Sequence, residues 1–127
     1  MTVPSETPAR PGELGESRAC AYLRSLGYEI VERNFRVRQG EIDIVARRDG
    51  TTVFVEVKER EGDSHGSALE AVTRGKMRRV IRAAQMFALA HGLTETALRF
   101  DVIAIDIDGE GVARIRHEPG AFDASAR

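Results

Sequence analysis

Two strand-like runs joined by a tight turn constrain this chain more than any other feature of its sequence. Glu41-Ile42-Asp43-Ile44-Val45 and Val53-Phe54-Val55-Glu56-Val57-Lys58 both carry β-branched residues on a period-two beat, the pattern of a buried or half-buried strand. Between them lies Asp49-Gly50, a dipeptide suited to a type I′ hairpin turn because both central residues there need positive φ. With that pair as the loop, Arg48 faces Thr51, and counting outward sets Asp43 opposite Glu56 and Glu41 opposite Lys58. Pleating then puts Asp43, Glu56 and Lys58 on one face of the sheet. Two facing carboxylates repel and destabilise a sheet. A divalent cation between them removes the conflict. The plainer alternative is a surface hairpin with solvated charges and Glu41–Lys58 as a cross-strand pair.

The residue types indicate which ion and what chemistry. Mg²⁺ takes a few carboxylate oxygens, keeps several waters and draws the rest of its shell from phosphate; Mn²⁺ accepts the same ligands. An ion held by Asp43 and Glu56 beside a phosphodiester would polarise the phosphoryl oxygen and acidify a water. Lys58 cannot ligate metal while protonated, but it can orient or help deprotonate the attacking water, or offset charge on the phosphorane.

The first helix, expected over residues 13–26, buries Ala19, Cys20, Tyr22, Leu23 and Leu26. Glu16 precedes Ala19, Cys20 and Leu23 by three, four and seven residues, so it belongs to the inward face. A buried carboxylate is costly unless paired or metal-bound, which makes Glu16 a third candidate ligand. The alternative is simple helix-start chemistry, an acid favoured by the macrodipole, and Glu13 fits that description. A second helix carries Arg74, Lys76, Arg78, Arg79 and Arg82 within nine residues and no acid among them. Its apolar stripe runs through Met77, Val80, Ile81, Ala84 and Ala88. Like charges at i, i+4 (Arg74, Arg78, Arg82) cost a helix stability, so an anionic partner is weighed against a merely solvated face.

Other features limit the alternatives. The net charge of −1 argues against a globally basic nucleic-acid binder. One cysteine, Cys20, excludes an internal disulfide and fits a reducing cytoplasm. No segment has the apolar length of a membrane span or the apolar core of a signal peptide. No Gly-rich phosphate loop precedes a helix, so a nucleotide cofactor has no support. His65, His91 and His117 lack metal-ligand spacing and read as surface residues. Asp101 sits in a strand buried on both faces and reads as structural support, and Gly40 reads as a turn or bulge.

The order Glu-Ile-Asp, a spacer, then Val-Glu-Val-Lys resembles the PD-(D/E)XK motif of restriction enzymes and archaeal Holliday-junction resolvases. More closely, the chain resembles the small bacterial YraN-type family. The match runs through Gly15-Glu16, Ala19 and Tyr22-Leu23, then Gly27-Tyr28 to Asn34-Phe35-Arg36 and Gly40 to Asp43. It continues through Phe54 to Lys58, Arg60, Val72, Lys76 and Arg99 to Val102. Ile42 stands where the wider superfamily has Pro before the Asp, as is ordinary for YraN-type proteins. The resemblance implies a nuclease fold, a helix-borne glutamate (here Glu16) completing the metal site, and a functional role for Lys76.

The expected architecture is α/β and restriction-endonuclease-like: a central mixed, twisted sheet with an antiparallel meander and flanking helices. A flexible arm (residues 1–11), one domain (12–118) and a flexible tail (119–127) are expected, with strands at 28–37, 98–106 and 112–118 besides the hairpin. A right-handed crossover through the second helix places the Asp101 strand beside the Glu56 strand. The expected function is Mg²⁺- or Mn²⁺-dependent hydrolysis of DNA, duplex or branched. Asp43, Glu56 and Lys58 would be catalytic, and Glu16, Asp43 and Glu56 would hold the ion. Lys76, Arg74 and Arg78 would contact the backbone, with Glu41 and Asp101 in support. A non-catalytic nucleic-acid-binding or interaction module is the alternative. Symmetric cutting of a junction would call for a two-fold homodimer, whose interface the sequence does not identify.

Overall fold

A computed structural model of the chain describes residues 12–62, 66–93 and 96–125. The expected arm and His65 lie outside them. In order, the elements are α1 (Glu13–Ser25), β1 (Glu29–Val37), β2 (Gly40–Arg48), β3 (Thr51–Glu61), a 3₁₀ turn (Leu69–Ala71), α2 (Arg74–His91), β4 (Ala97–Ile107) and β5 (Ala113–Phe122). The strands form one sheet in sequence order. Every neighbouring pair is antiparallel except β3 and β4. Parallel strands need a long crossover, and α2 supplies it. This α/β arrangement, a mixed sheet with two helices, is consistent with the restriction-endonuclease-like fold.

The hairpin forms as its turn residues require. Asp49 and Gly50 have φ of 51° and 78°, and Arg48 pairs with Thr51. Alternation divides the core between the sheet faces. Ile44, Ala46, Val53 and Val55 pack with Ala19, Cys20 and Leu23 of α1, whereas Val45 and Phe54 pack with Val80, Ala84 and Phe87 of α2. Phe87 meets Phe35 and Phe54 edge-on at 5.1 and 5.9 Å between ring centres. Leu26 departs from the expected buried stripe: α1 stops at Ser25, and Leu26 is the exposed cap residue that follows. No helix of the described residues is long and apolar enough to cross a membrane.

The sheet also extends further than expected. β5 runs through Pro119 to Phe122, into the segment read as a tail. Phe122 pairs with Phe100 and stacks on its ring at 5.1 Å, so the domain boundary lies beyond residue 118.

Gly40 has a different role from the expected turn or bulge. It ends the β1–β2 hairpin opposite Val37, and its φ is not among the positive ones. What requires glycine is the backbone of α2, since a Cβ at position 40 would lie 1.9 Å from the Arg79 carbonyl oxygen. Gly40→Ala should therefore force the hairpin away from α2 and destabilise the fold by about 3 kcal/mol, read from urea unfolding. A loss below about 0.5 kcal/mol, the range of ordinary surface substitutions, would show that this approach is not tight.

Candidate metal and nuclease site

The ladder between β2 and β3 stops at Ile44↔Val55, one residue short of the level of Asp43 and Glu56. Beyond that point the Val57 N–H donates to Asp43 Oδ2 at 2.8 Å, where a regular ladder would use a β2 carbonyl. β2 continues with β1 as far as Gly40, while β3 continues with β4 as far as Glu61. The two strands part, and a cleft of about 510 Å³ opens beside them, lined by Glu16, Asp43, Glu56, Lys58, Thr73 and Lys76 among others. All of the expected catalytic and metal-binding side chains thus reach one cavity, joined there by Lys76. The expected opposition of Glu41 and Lys58 does not form: Glu41 pairs with Arg36 across β1–β2 and turns its carboxylate to Lys76.

Lys76 Nζ donates to Glu41 Oε1 at 2.7 Å and lies 3.7 Å from Glu56 Oε2. Burial works against its charge, but the Glu41 hydrogen bond and the fields of Glu56 and Asp43 outweigh this and raise its pKa. That same hydrogen bond lowers the Glu41 carboxyl despite burial, with help from the fields of Lys76, Arg79 and Arg36. Lys76 is therefore part of the cleft, whereas Arg74 and Arg78 are exposed on α2 and do not line it.

Glu56 is only 6% exposed, and its Oε1 is buried without a hydrogen-bond partner among the described residues. Burial first, then the Asp43 carboxylate beside it, pushes its carboxyl up to about 9, Lys76 opposing and Glu41 adding to the effect. Among the described residues no three His, Cys, Asp or Glu side chains converge to hold an ion as they stand. The Asp43–Glu56 pair, one of its oxygens orphaned beside an open cleft, still fits Mg²⁺, which needs only one or two carboxylates besides water and phosphate. Glu16 lines the same cleft.

Glu16 is buried on α1 as its spacing requires. Asn34 Nδ2 donates to Glu16 Oε1 at 3.0 Å, and Arg33 Nη2 lies 3.9 Å from it. Neither residue was anticipated as a partner. The available signal is Asn34 itself, a poor strand former that tolerates the left-handed φ of 56° found there.

The chain before α2, whose Ala71, Val72 and Thr73 line the cleft, is tied to the sheet. Arg60 binds Asp106 through Nε and Nη2 at 2.7 and 3.2 Å, and its Nη1 donates to the Gly66 and Ser67 carbonyls. The Ala68 N–H donates to Glu118 of β5. Asp101 is fully buried and does not line the cleft. It accepts from Arg99 at 2.8 Å and from the Gly120 N–H at 3.0 Å, and meets His117 Nε2 at 2.7 Å. His117 is not the surface residue expected: its side chain is 7% exposed, set between Asp101 and the Tyr22 hydroxyl. Its position on an edge strand concealed this.

Fold and cleft together define an α/β protein of nuclease-like architecture with a carboxylate–lysine cavity. The chain belongs to Uncharacterised protein family UPF0102, the YraN-type family, whose sequence profile matches residues 15–105, a span holding every candidate site residue. A UPF0102 protein of Anaeromyxobacter dehalogenans is 45% identical over 116 residues, covering 91% of this chain and 86% of its own. Relatives in Syntrophotalea carbinolica (47% over 112 residues, 88% and 90% covered) and Symbiobacterium thermophilum (43% over 115 residues, 91% and 98%) bear the same family name.

The Glu56 shift fixes a sign for the pH dependence of the metal-free protein. The folded carboxyl titrates at about 9 against an ordinary 4.5, so between those values the folded chain holds a proton that the unfolded chain has lost. Stability from this group is full below the lower value and declines as pH rises, until it is lost above about 9. Glu56→Gln should flatten that decline, measured by urea unfolding in EDTA across the window. An unchanged slope in the variant would assign the titration to another group.

Proposed function

We propose that this protein is a Mg²⁺- or Mn²⁺-dependent nuclease that hydrolyses phosphodiester bonds in DNA, duplex or branched. The observation that carries the reading is the Asp43–Glu56 pair at the point where β2 and β3 part, with Lys58 lining the same cleft. Asp43 and Glu56 would hold the ion, Glu16 assisting. A bound ion supplies Lewis acidity toward a phosphoryl oxygen and lowers the pKa of a water.

The rest falls to the chain's own groups. The Val57 N–H fixes the Asp43 carboxylate through Oδ2, and Asp43 would hold the ion together with Glu56. Glu56 would have to give up its proton to serve as a ligand, so ion binding should tighten as pH rises toward about 9. Lys58 orients the attacking water or offsets charge on the phosphorane. Lys76 holds Glu41 and lies within 3.7 Å of Glu56, where it offsets negative charge. A cytoplasmic setting fits the single cysteine, buried and unpaired.

One observation favours a binding module that cleaves nothing: Lys76 already offsets the carboxylates, so the fold needs no metal to hold them. Mn²⁺ should raise the thermal midpoint of the wild type by linkage, and Asp43→Asn should abolish that rise. Equal responses in the two proteins would remove Asp43 from the site. On a panel of duplex, flapped and four-way DNA, Lys58→Ala should keep the thermal response yet lose about two to four orders of magnitude in cleavage rate. Cleavage by neither wild type nor variant, with DNA still bound, would leave the module.

A further inference from the structure

The cleft occupies one end of a larger charged surface that two separate parts of the chain build together. α2 from Arg74 to His91 contains no acidic residue, and the end of the β1–β2 hairpin, Arg36-Val37-Arg38-Gln39-Gly40-Glu41, contains only Glu41. The missing side chain at Gly40 lets that hairpin end rest directly on the α2 backbone at Arg79. Arg36, Arg38 and Arg79 are all exposed. Glu41, the one acid between them, is engaged by Lys76 at 2.7 Å and Arg36 at 3.6 Å, with Arg79 acting on it through space. The acid therefore gathers cations from both elements at the border of the cleft and leaves the guanidinium groups facing solvent.

We propose that the hairpin end and the first half of α2 form one phosphate-binding surface, organised by Glu41, along which the backbone of duplex DNA lies as it enters the cleft. This inference takes its polyanion from the nuclease reading. It adds Arg36 and Arg38 of the hairpin end, and Arg79 of α2, to Arg74 and Arg78, and makes Gly40 the joint between two contact elements. It also explains how a chain with a net charge of −1 can hold a phosphate backbone, since neutralising phosphates requires local cations and not a global excess. Arg74, Arg78 and Arg82 extend the same surface along the exposed side of α2.

The test is binding of a short labelled duplex by fluorescence anisotropy in EDTA at several salt concentrations, where no cleavage occurs. The triple variant Arg36→Gln/Arg38→Gln/Arg79→Gln should bind at least about tenfold more weakly at low salt. Its salt slope should fall by about three, one per lost phosphate contact. The control is Arg24→Gln/Arg47→Gln/Arg114→Gln, which removes the same charge from exposed sites on α1, the far end of β2 and β5, and should retain the wild-type slope. If the triple variant does not fold, as judged by its thermal melt, Arg38→Gln alone should lower the slope by about one. Wild-type slopes in the hairpin–helix variants, equal losses in the control, or no duplex binding by the wild type would each overturn the proposal. Binding lost in the triple variant, in a protein that never cleaves with metal present, would uphold the surface and remove the nuclease reading.

Discussion

The hydrogen bond from the Val57 N–H to Asp43 marks the place on which the rest of the site depends. Up to Ile44↔Val55 the central hairpin is a regular antiparallel ladder, and its outward neighbours keep pairing past that level on both sides. A backbone donor left without a ladder partner has to be satisfied, and here a carboxylate does so. The side chain that allows the strands to separate is thereby held beside the opening. Glu56, on the other strand, is left buried, its Oε1 without a hydrogen-bond partner among the described residues. The cleft is a consequence of how the sheet ends its pairing.

The metal-free cavity also shows how carboxylates can share a wall without unfolding it. Asp43, Glu56 and Glu41 would repel if all were ionised and alone. Burial and Asp43 keep a proton on Glu56 well above the ordinary carboxyl range, and Lys76 takes Glu41 in a direct bond. A proton and an ammonium together fill the electrostatic role that the sequence reading gave to a divalent cation. Both can be surrendered: the proton to solvent, and the ammonium, one-quarter exposed on its side chain, to a phosphate oxygen.

What could be read in advance depended on how local the cause was. The hairpin was legible because its turn and alternation lie within Glu41 to Lys58, and the register followed by counting until the ladder opened. Glu16 was legible because helical spacing ties it to Ala19, Cys20 and Leu23. The Lys76–Glu41 bond was not, since its partners are 35 residues apart and meet only because a glycine lets a hairpin touch a helix. His117 likewise finds Tyr22 at a separation of 95 residues. Pro119 and Gly120 resemble a tail by composition, yet Asp101 captures the Gly120 N–H and Phe100 stacks on Phe122. The strand itself was legible up to Glu118, but no local pattern announces its continuation to Phe122.

The polar contacts outside the cleft explain why its walls stay in register. The chain from Gly66 to Thr73 belongs to no strand, and a connection of that kind is ordinarily the mobile part of a fold. Here Arg60 links two of its carbonyls to Asp106 on β4, and Glu118 on β5 takes the Ala68 N–H. Thr73 then caps α2 by accepting from the Lys76 N–H at 3.1 Å, which starts the helix with Lys76 in its first turn, where it meets Glu41 and Glu56. Each link is short, and together they connect the last two strands to the lysine in the cleft. A site that depends on positions good to a fraction of an ångström is thus braced by β4 and β5, strands whose own side chains do not line it.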